Sequence, residues 1–126
     1  MMKHTILILF LFLSLLCHGQ SYKFFTTDRA LSSSLINKIY QDRNGMIWIA
    51  TEDGLNRYDG AKFITYKHDP ENEYSLCHNY VRVLYEDSKG RLFVGTYNGI
   101  QLYDPETDSF SARAQWEDGK TFDSNI

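Results

Sequence analysis

Two stretches of this chain superimpose without a gap at a constant offset of 45 residues: Leu31 on Leu76, Tyr40 on Tyr85, Asp42 on Asp87, Gly45 on Gly90, Thr51 on Thr96, Gly54 on Gly99, Tyr58 on Tyr103 and Asp59 on Asp104. The apolar positions between them agree in kind: Ile36/Val81, Ile39/Leu84, Ile47/Leu92, Trp48/Phe93, Ile49/Val94 and Leu55/Ile100. A period of this size, made of short runs and turns, is the pattern of a propeller or a similar repeat array. One such unit cannot bury its own apolar faces, so stability and function belong to the stacked array.

Each unit holds four runs rich in β-branched and aromatic residues and too short for helices; in the first they are Leu35 to Tyr40, Met46 to Thr51, Leu55 to Tyr58 and Lys62 to Tyr66. The turn Asp42-Arg-Asn-Gly45, with its counterpart Asp87-Ser-Lys-Gly90, supplies an Asp to bond the backbone after it and a Gly for positive φ. Asp53-Gly54 and Asn98-Gly99 are strong hairpin signals. The third turn is Asp59-Gly60 in one copy and the longer Asp104-Pro-Glu-Thr-Asp-Ser109 in the other, an insertion of the kind loops tolerate. Each unit therefore reads as a four-stranded antiparallel meander, one propeller blade.

The expected fold is all-β, an incomplete β-propeller of about two four-stranded blades plus an N-terminal closing strand and the start of a third blade. The boundaries are a leader over 1–19, an outer strand over 20–30 closing the last blade, repeat 1 over 31–74, repeat 2 over 75–122 and the opening of repeat 3 over 123–126. Tyr22-Lys-Phe-Phe-Thr26 resembles the fourth run Lys62-Phe-Ile-Thr-Tyr66, and Ser124-Asn-Ile126 aligns with His78-Asn-Tyr80. Propellers close with about four to eight blades, so the chain reads as the front piece of a longer protein. The alternative is a small protein that closes by self-association. Either way the open blade edge should make the isolated chain marginal and prone to associate with itself.

Met1-Met-Lys-His4 is a short basic start, and Ile6 to Cys17 is apolar except for Ser14. That run has the length of a signal-peptide core and is short for a membrane span. Cleavage after Gly19 is the first reading; lipidation at Cys17 is the second, opposed by the bulky Leu16 before it. Both export the blades, with the periplasm as the expected location. The membrane is reached only through a lipidated Cys17 or a helix further along a parent protein. Net charge is −3, becoming −4 once Lys3 leaves with the leader, and the basic residues are scattered, so no nucleic-acid surface is expected. Cys77 has no partner once Cys17 is gone and reads as a small buried apolar residue.

The stretches Ile39-Tyr-Gln-Asp-Arg-Asn-Gly-Met-Ile-Trp-Ile-Ala-Thr-Glu-Asp-Gly-Leu-Asn-Arg-Tyr58 and Leu84-Tyr-Glu-Asp-Ser-Lys-Gly-Arg-Leu-Phe-Val-Gly-Thr-Tyr-Asn-Gly-Ile-Gln-Leu-Tyr103 resemble the two-component regulator propeller repeat. That pattern is an apolar strand, Asp-x-x-Gly, Leu-Trp-(Ile/Val)-Gly-Thr, two variable residues and Gly-Leu. Ala50 replaces its Gly, and Phe93 its Trp. The resemblance implies a periplasmic propeller sensor of a hybrid two-component system. A membrane helix, histidine kinase, receiver and often a DNA-binding domain follow in that family, and its ligands are oligosaccharides. It also implies a mechanism in which the ligand rearranges the propellers. None of the signalling parts lies within these 126 residues.

In a propeller the loops joining second to third strands, and one blade to the next, gather on one face. Here they carry Glu52 and Asp53, Tyr97 and Asn98, Ser32 to Ser34, and His78, Asn79 and Tyr80. Aromatic faces stack on sugar C–H surfaces while amides and carboxylates bond hydroxyls, so Tyr97 and Tyr80 are the first ligand-facing candidates, followed by Asn98, His78, Glu52 and Asp53. Such residues also occur at hairpin tips that bind nothing. Trp48 and Phe93 recur at one strand position and read as inter-blade packing; Tyr40, Tyr85, Tyr58 and Tyr103 read as core. Arg43 and Lys89 within the Asp…Gly turns oppose a calcium reading, and no cofactor or metal is expected. Glu52, Asp53, Glu86 and Asp87 could serve a glycosidase by residue type alone. No nucleophile or zinc motif is present, so catalysis is not expected; a polysaccharide-acting propeller enzyme and an adhesion scaffold are the rival readings.

Overall fold

The computed structural model describes residues 2–4, 6, 20–25 and 30–111. It contains two four-stranded antiparallel sheets, each a meander. Blade 1 runs β1 (Ile36–Gln41), β2 (Ile47–Thr51), β3 (Gly54–Tyr58) and β4 (Phe63–Tyr66). Blade 2 runs β5 (Val81–Glu86), β6 (Leu92–Thr96), β7 (Gly99–Asp104) and β8 (Ser109–Phe110). The ladders repeat along with the sequence. Ile39 lies opposite Ile49 and Leu84 opposite Val94, and each first strand carries one register irregularity, at Ile36/Lys38 and at Val81/Val83.

The repeated turn owes its shape to its Asp. Asp42 Oδ1 accepts the Asn44 and Met46 N–H groups at 2.9 and 3.0 Å, Gly45 takes φ 84°, and Asp42 Oδ2 accepts the Trp48 indole N–H at 2.8 Å. In the second copy Asp87 Oδ1 accepts the Lys89 and Arg91 N–H groups, at 3.0 and 2.9 Å. Phe93 has no N–H to give, and Arg91 Nε donates to Asp87 Oδ2 at 2.6 Å instead. Burial by itself would raise the Asp87 carboxyl, but the hydrogen bonds and charge of Arg91 hold it below the ordinary carboxylate range. The mild departure Phe93-for-Trp is thus matched by Arg91 where the first copy has Met46.

The core lies between the blades, with β5 packed against β1 and β2. Trp48, Ala50 and Leu55 of blade 1 meet Val81, Leu84, Leu92, Val94, Tyr103 and Phe110 of blade 2, with Leu76 from the connection. Trp48 is 1% exposed and lies 4.7 Å, edge to face, from Tyr103 and 6.0 Å, stacked, from Tyr66. Arg57 sits over the Trp48, Tyr66 and Tyr103 rings at 5.6 to 5.8 Å and bonds the Tyr103 hydroxyl and Asp108. Asp108 also accepts the Tyr66 and Tyr103 hydroxyls, at 2.5 and 2.7 Å. A buried aromatic pair of this kind adds about 0.5–1.5 kcal/mol beyond its area.

Several expectations are corrected. Tyr103 is core, but Tyr40 and Tyr58 are only half-buried and Tyr85 is 60% exposed. Phe93 is half-buried where Trp48 is buried, because the face of blade 2 on which Phe93 and Tyr85 stand meets no further blade among the described residues. The fourth strand of blade 2 is two residues long, where four were paired in blade 1. Residues 20–25 form no strand: no described strand offers them a ladder. Phe25 nevertheless packs on Tyr58 and Phe63 at 4.9 and 4.7 Å, the kind of contact Tyr66 makes with Tyr103 and Phe110. Most of the leader, Cys17 and Gly19 included, the rest of the closing strand over 26–29 and the third-repeat opening lie outside the described residues. Among those described, no helix is long and apolar enough to cross a membrane.

The exchange of partners at Asp42 and Asp87 can be checked by mutation. Trp48→Phe should cost about 1–2 kcal/mol through the lost bond to Asp42. Adding Met46→Arg, which recreates the blade 2 arrangement, should recover part of it in chemical denaturation. A double variant no more stable than Trp48→Phe alone would show that the two turns are not equivalent.

Candidate functional site

In a meander the second strand ends, the third begins, the fourth ends and the next first strand begins at the same end of the sheet. That end carries the hairpin tips Glu52-Asp53 and Tyr97-Asn98 and the connection leading to Tyr80. The tips are built alike. Thr51 Oγ1 accepts the Asp53 N–H at 3.1 Å and donates to the Gly54 carbonyl at 2.8 Å, and Thr96 does the same for Asn98 and Gly99 at 3.2 Å each. Gly54 is obligatory: its φ is 125°, and a Cβ there would lie 2.9 Å from the Tyr66 carbonyl oxygen.

Behind the tips lies a polar layer. Ser32 Oγ lies 3.1 Å from Thr51 Oγ1 and accepts Asn56 Nδ2 at 2.8 Å, while Asn56 Oδ1 accepts the Ser32 N–H at 3.1 Å. Blade 2 repeats the layer with Cys77 and Gln101: Cys77 Sγ lies 3.0 Å from Thr96 Oγ1, and Gln101 Oε1 accepts the Cys77 N–H at 2.8 Å. Cys77 therefore holds the station of Ser32, half-buried and hydrogen-bonded rather than packed as an apolar residue.

The six candidate residues do not share one fate. Tyr80, Tyr97, His78 and Glu52 come together: the Tyr80 and Tyr97 rings lie 4.4 Å apart, His78 meets Tyr97 edge to face at 5.9 Å, and the Tyr80 hydroxyl donates to Glu52 Oε1 at 3.1 Å. That bond to Glu52, with burial second, raises the Tyr80 phenol above its ordinary value. His78 Nδ1 accepts the Tyr80 N–H at 2.9 Å, which leaves Nε2 as the proton-bearing nitrogen of the neutral ring. Asn98 and Asp53 stand apart, bonded to the Cys77 carbonyl at 3.2 Å and to Lys67 Nζ at 2.7 Å. Tyr97 remains 58% exposed.

Two contributors carried no signal in the sequence. Arg82 lies over the Tyr97 ring at 5.3 Å and has no carboxylate partner among the described residues. Asn37 reaches across the blades to the Val81 carbonyl at 2.8 Å. As for the residues weighed for catalysis, Glu86 pairs with Arg43 at 3.4 Å and Asp87 belongs to its turn.

Comparison with known proteins follows the same repeats. Residues 30–53 and 75–98 match the two component regulator propeller family. "Histidine kinase P4" of Formosa agariphila is 40% identical over 73 residues, which are 55% of this chain and 5% of that protein. The extracellular domain of the hybrid two component system BT3049 from B. thetaiotaomicron superimposes with a TM-score of 0.63 at 34% identity, over 71% of this chain and 13% of that one. The extracellular domain of the one component system BT4673 from B. thetaiotaomicron gives 0.59 at 24% identity, over 75% and 14%, a likeness of fold. The chain thus spans a small fraction of each.

Asp108 offers a test of how the blades are held together. Burial would raise its carboxyl, but the Tyr66 and Tyr103 hydroxyls and Arg57 more than offset this and lower it below 3.8. A depressed folded-state value means the stabilisation is present above pH 3.8 and fades as the pH falls toward the folded value. With the side chain 45% exposed, Asp108→Asn should cost about 1 kcal/mol at neutral pH, after allowance for solvent screening. The variant should also lose less stability than the wild type between pH 6 and pH 3 in thermal melts. Parallel acid curves would remove Asp108 from the interface.

Proposed function

We propose that this chain, which belongs to the two-component regulator propeller family through its two repeats, forms the front part of an exported sensor propeller that receives an oligosaccharide and relays to a histidine kinase elsewhere in a longer parent. The observation that carries the ligand reading is the partly exposed Tyr97 ring, packed on Tyr80, met edge to face by His78 and overlain by Arg82, with Glu52 on the Tyr80 hydroxyl. An aromatic face beside groups that donate and accept hydrogen bonds has the chemistry of sugar recognition. Support for export comes from the extracellular origin of the structural neighbour at 34% identity and from the apolar run 6–17 behind Lys3. Support for a longer parent comes from the kinase relative, of which this chain spans 5%.

In this reading the chain performs no catalysis of its own. A sugar seated on Tyr97 would bridge the tips of adjacent blades, and the relay would be a change in how the blades sit, passed on to a membrane segment of the parent. The proposal is tested by titrating a panel of neutral and acidic oligosaccharides into the protein by calorimetry. At least one should bind. Tyr97→Ala should weaken it about tenfold, the size of one aromatic contact, while Tyr97→Phe should retain most of the affinity. Absence of binding across the panel, or affinity indifferent to Tyr97→Ala, would defeat the sugar reading and leave the family assignment untouched.

A further inference from the structure

The two repeats shape the entrance to their first strand with the same bond and different acceptors. Ser33 Oγ accepts the Leu35 N–H at 3.1 Å, and at the matching station of the second repeat His78 Nδ1 accepts the Tyr80 N–H at 2.9 Å. A side chain that accepts from the backbone just ahead of it holds a loop in shape before the strand begins. A hydroxyl accepts such a bond at every pH. An imidazole accepts at Nδ1 only while that nitrogen keeps its lone pair, and a second proton turns both ring nitrogens into donors.

The titratable copy stands where the blades are joined. Tyr80, whose N–H is held, donates its hydroxyl to Glu52 Oε1 at 3.1 Å, and its carbonyl accepts the Tyr97 N–H at 3.3 Å. Asn79, between the acceptor and the donor, accepts the Gly54 N–H on its carbonyl at 2.6 Å and the His68 N–H on its Oδ1 at 2.7 Å. The segment 78–80 therefore fastens the tip of blade 1 to the start of β5, and the His78 bond closes that segment on itself. The ring is half-buried, so protons from solvent reach it.

We infer that His78 is an acid-released latch on the joint between the two blade tips. While the ring is neutral, Nδ1 holds the Tyr80 N–H, and Tyr80 is set to reach Glu52. A proton taken up from water at Nδ1 brings two N–H groups face to face. The ring must then turn away, and the Tyr80 N–H loses its acceptor. Histidine ordinarily changes charge between about pH 5 and 8, so the bond is present toward the upper end of that range and lost toward the lower end.

The groups around the ring act with opposite signs. Glu52, reached through Tyr80, favours the imidazolium, and Arg82, over the Tyr97 ring that His78 meets edge to face, opposes it. The remaining titratable groups of these segments are engaged elsewhere: Cys77 Sγ lies on Thr96 Oγ1, Asp53 pairs with Lys67, and His68 Nδ1 donates to the Leu76 carbonyl at 2.6 Å. Among the described residues the Tyr80 N–H is the hydrogen-bond partner of His78 Nδ1. The latch works within the contact between blades 1 and 2, and it stands whether or not Tyr97 receives a sugar.

Amide hydrogen exchange of the full chain, followed by NMR and corrected for the intrinsic pH dependence of exchange, tests it with the Leu35 N–H as internal reference. From about pH 8 to about pH 5, protection of the Tyr80 N–H should fall about fivefold relative to that of Leu35, the size of one net hydrogen bond. His78→Ser, which copies the first repeat, should hold that ratio constant over the same range. His78→Asn, whose side-chain oxygen also accepts at every pH, replaces it should the Ser variant lose the wild-type circular dichroism. A wild-type ratio that stays constant, as it would if acid merely loosened both blades alike, would overturn the inference. So would a fall that persists after the imidazole is replaced.

Discussion

Trp48 is where three levels of this structure meet. Its indole N–H is held by Asp42, which fixes the first turn; its strand position places it in the middle of blade 1; and its ring packs on Tyr103 of blade 2 beneath Arg57. A side chain 1% exposed cannot leave its one polar atom unpaired, since an orphaned buried N–H costs about 1–3 kcal/mol. The Asp of the turn and the Trp of the strand are therefore one unit, six residues apart. This gives the Asp-x-x-Gly…Trp spacing of the first repeat a physical cause beyond turn preference. Blade 2 shows the same constraint met by other means, with Arg91 taking over the carboxylate oxygen that Phe93 cannot use.

What the sequence made legible was whatever is local and repeated. Strand positions followed from runs of β-branched and aromatic residues, and β1 to β4 fall within one residue of them. Turns followed from Asp and Gly, and the positive φ of Gly45, Gly54, Gly90 and Gly99 agrees. What stayed hidden depends on which side of a strand finds a neighbour. Tyr40 and Tyr85 are the same residue in the same motif, yet one packs on the core and the other is exposed, because among the described residues only the first has a blade beside it. The bond from Asp108 to Arg57 was equally invisible. It arises from the inserted loop of blade 2, and at φ 52° Asp108 bends back against the first blade. An insertion that reads as slack in sequence is a clamp in three dimensions.

The candidate site divides along a similar line. His78, Asn98 and Asp53 were singled out for their chemistry, but each has a bond to the chain itself: His78 and Asn98 to backbone, Asp53 to Lys67. Polar residues at hairpin tips often serve the loop first. Tyr80 and Tyr97 differ: their rings pack on each other, and Tyr97 stays 58% exposed. Arg82 was missed since a lone Arg in a strand gives no signal until its ring partner is in view.

The repeat therefore separates architecture from recognition residue by residue. The positions that recur (the turn Asp and Gly, the tip Thr and Gly, and in blade 1 the strand aromatics) are occupied in shaping turns and joining blades. The recognition proposed for this chain would then fall on positions where the copies disagree. Between the tip Thr and Gly the first copy has Glu52-Asp53 and the second Tyr97-Asn98. At the entrance to the first strand Leu35 answers to Tyr80, and one step inside it Asn37 answers to Arg82. These unlike residues are the ones that meet: Glu52 of one tip bonds Tyr80, and Tyr80 packs on Tyr97 of the next tip, under Arg82. A ligand touching Tyr97 thus contacts a chain of side chains that crosses from one blade to the other. Under the proposed function, this is the arrangement by which binding at the tips would alter how neighbouring blades sit.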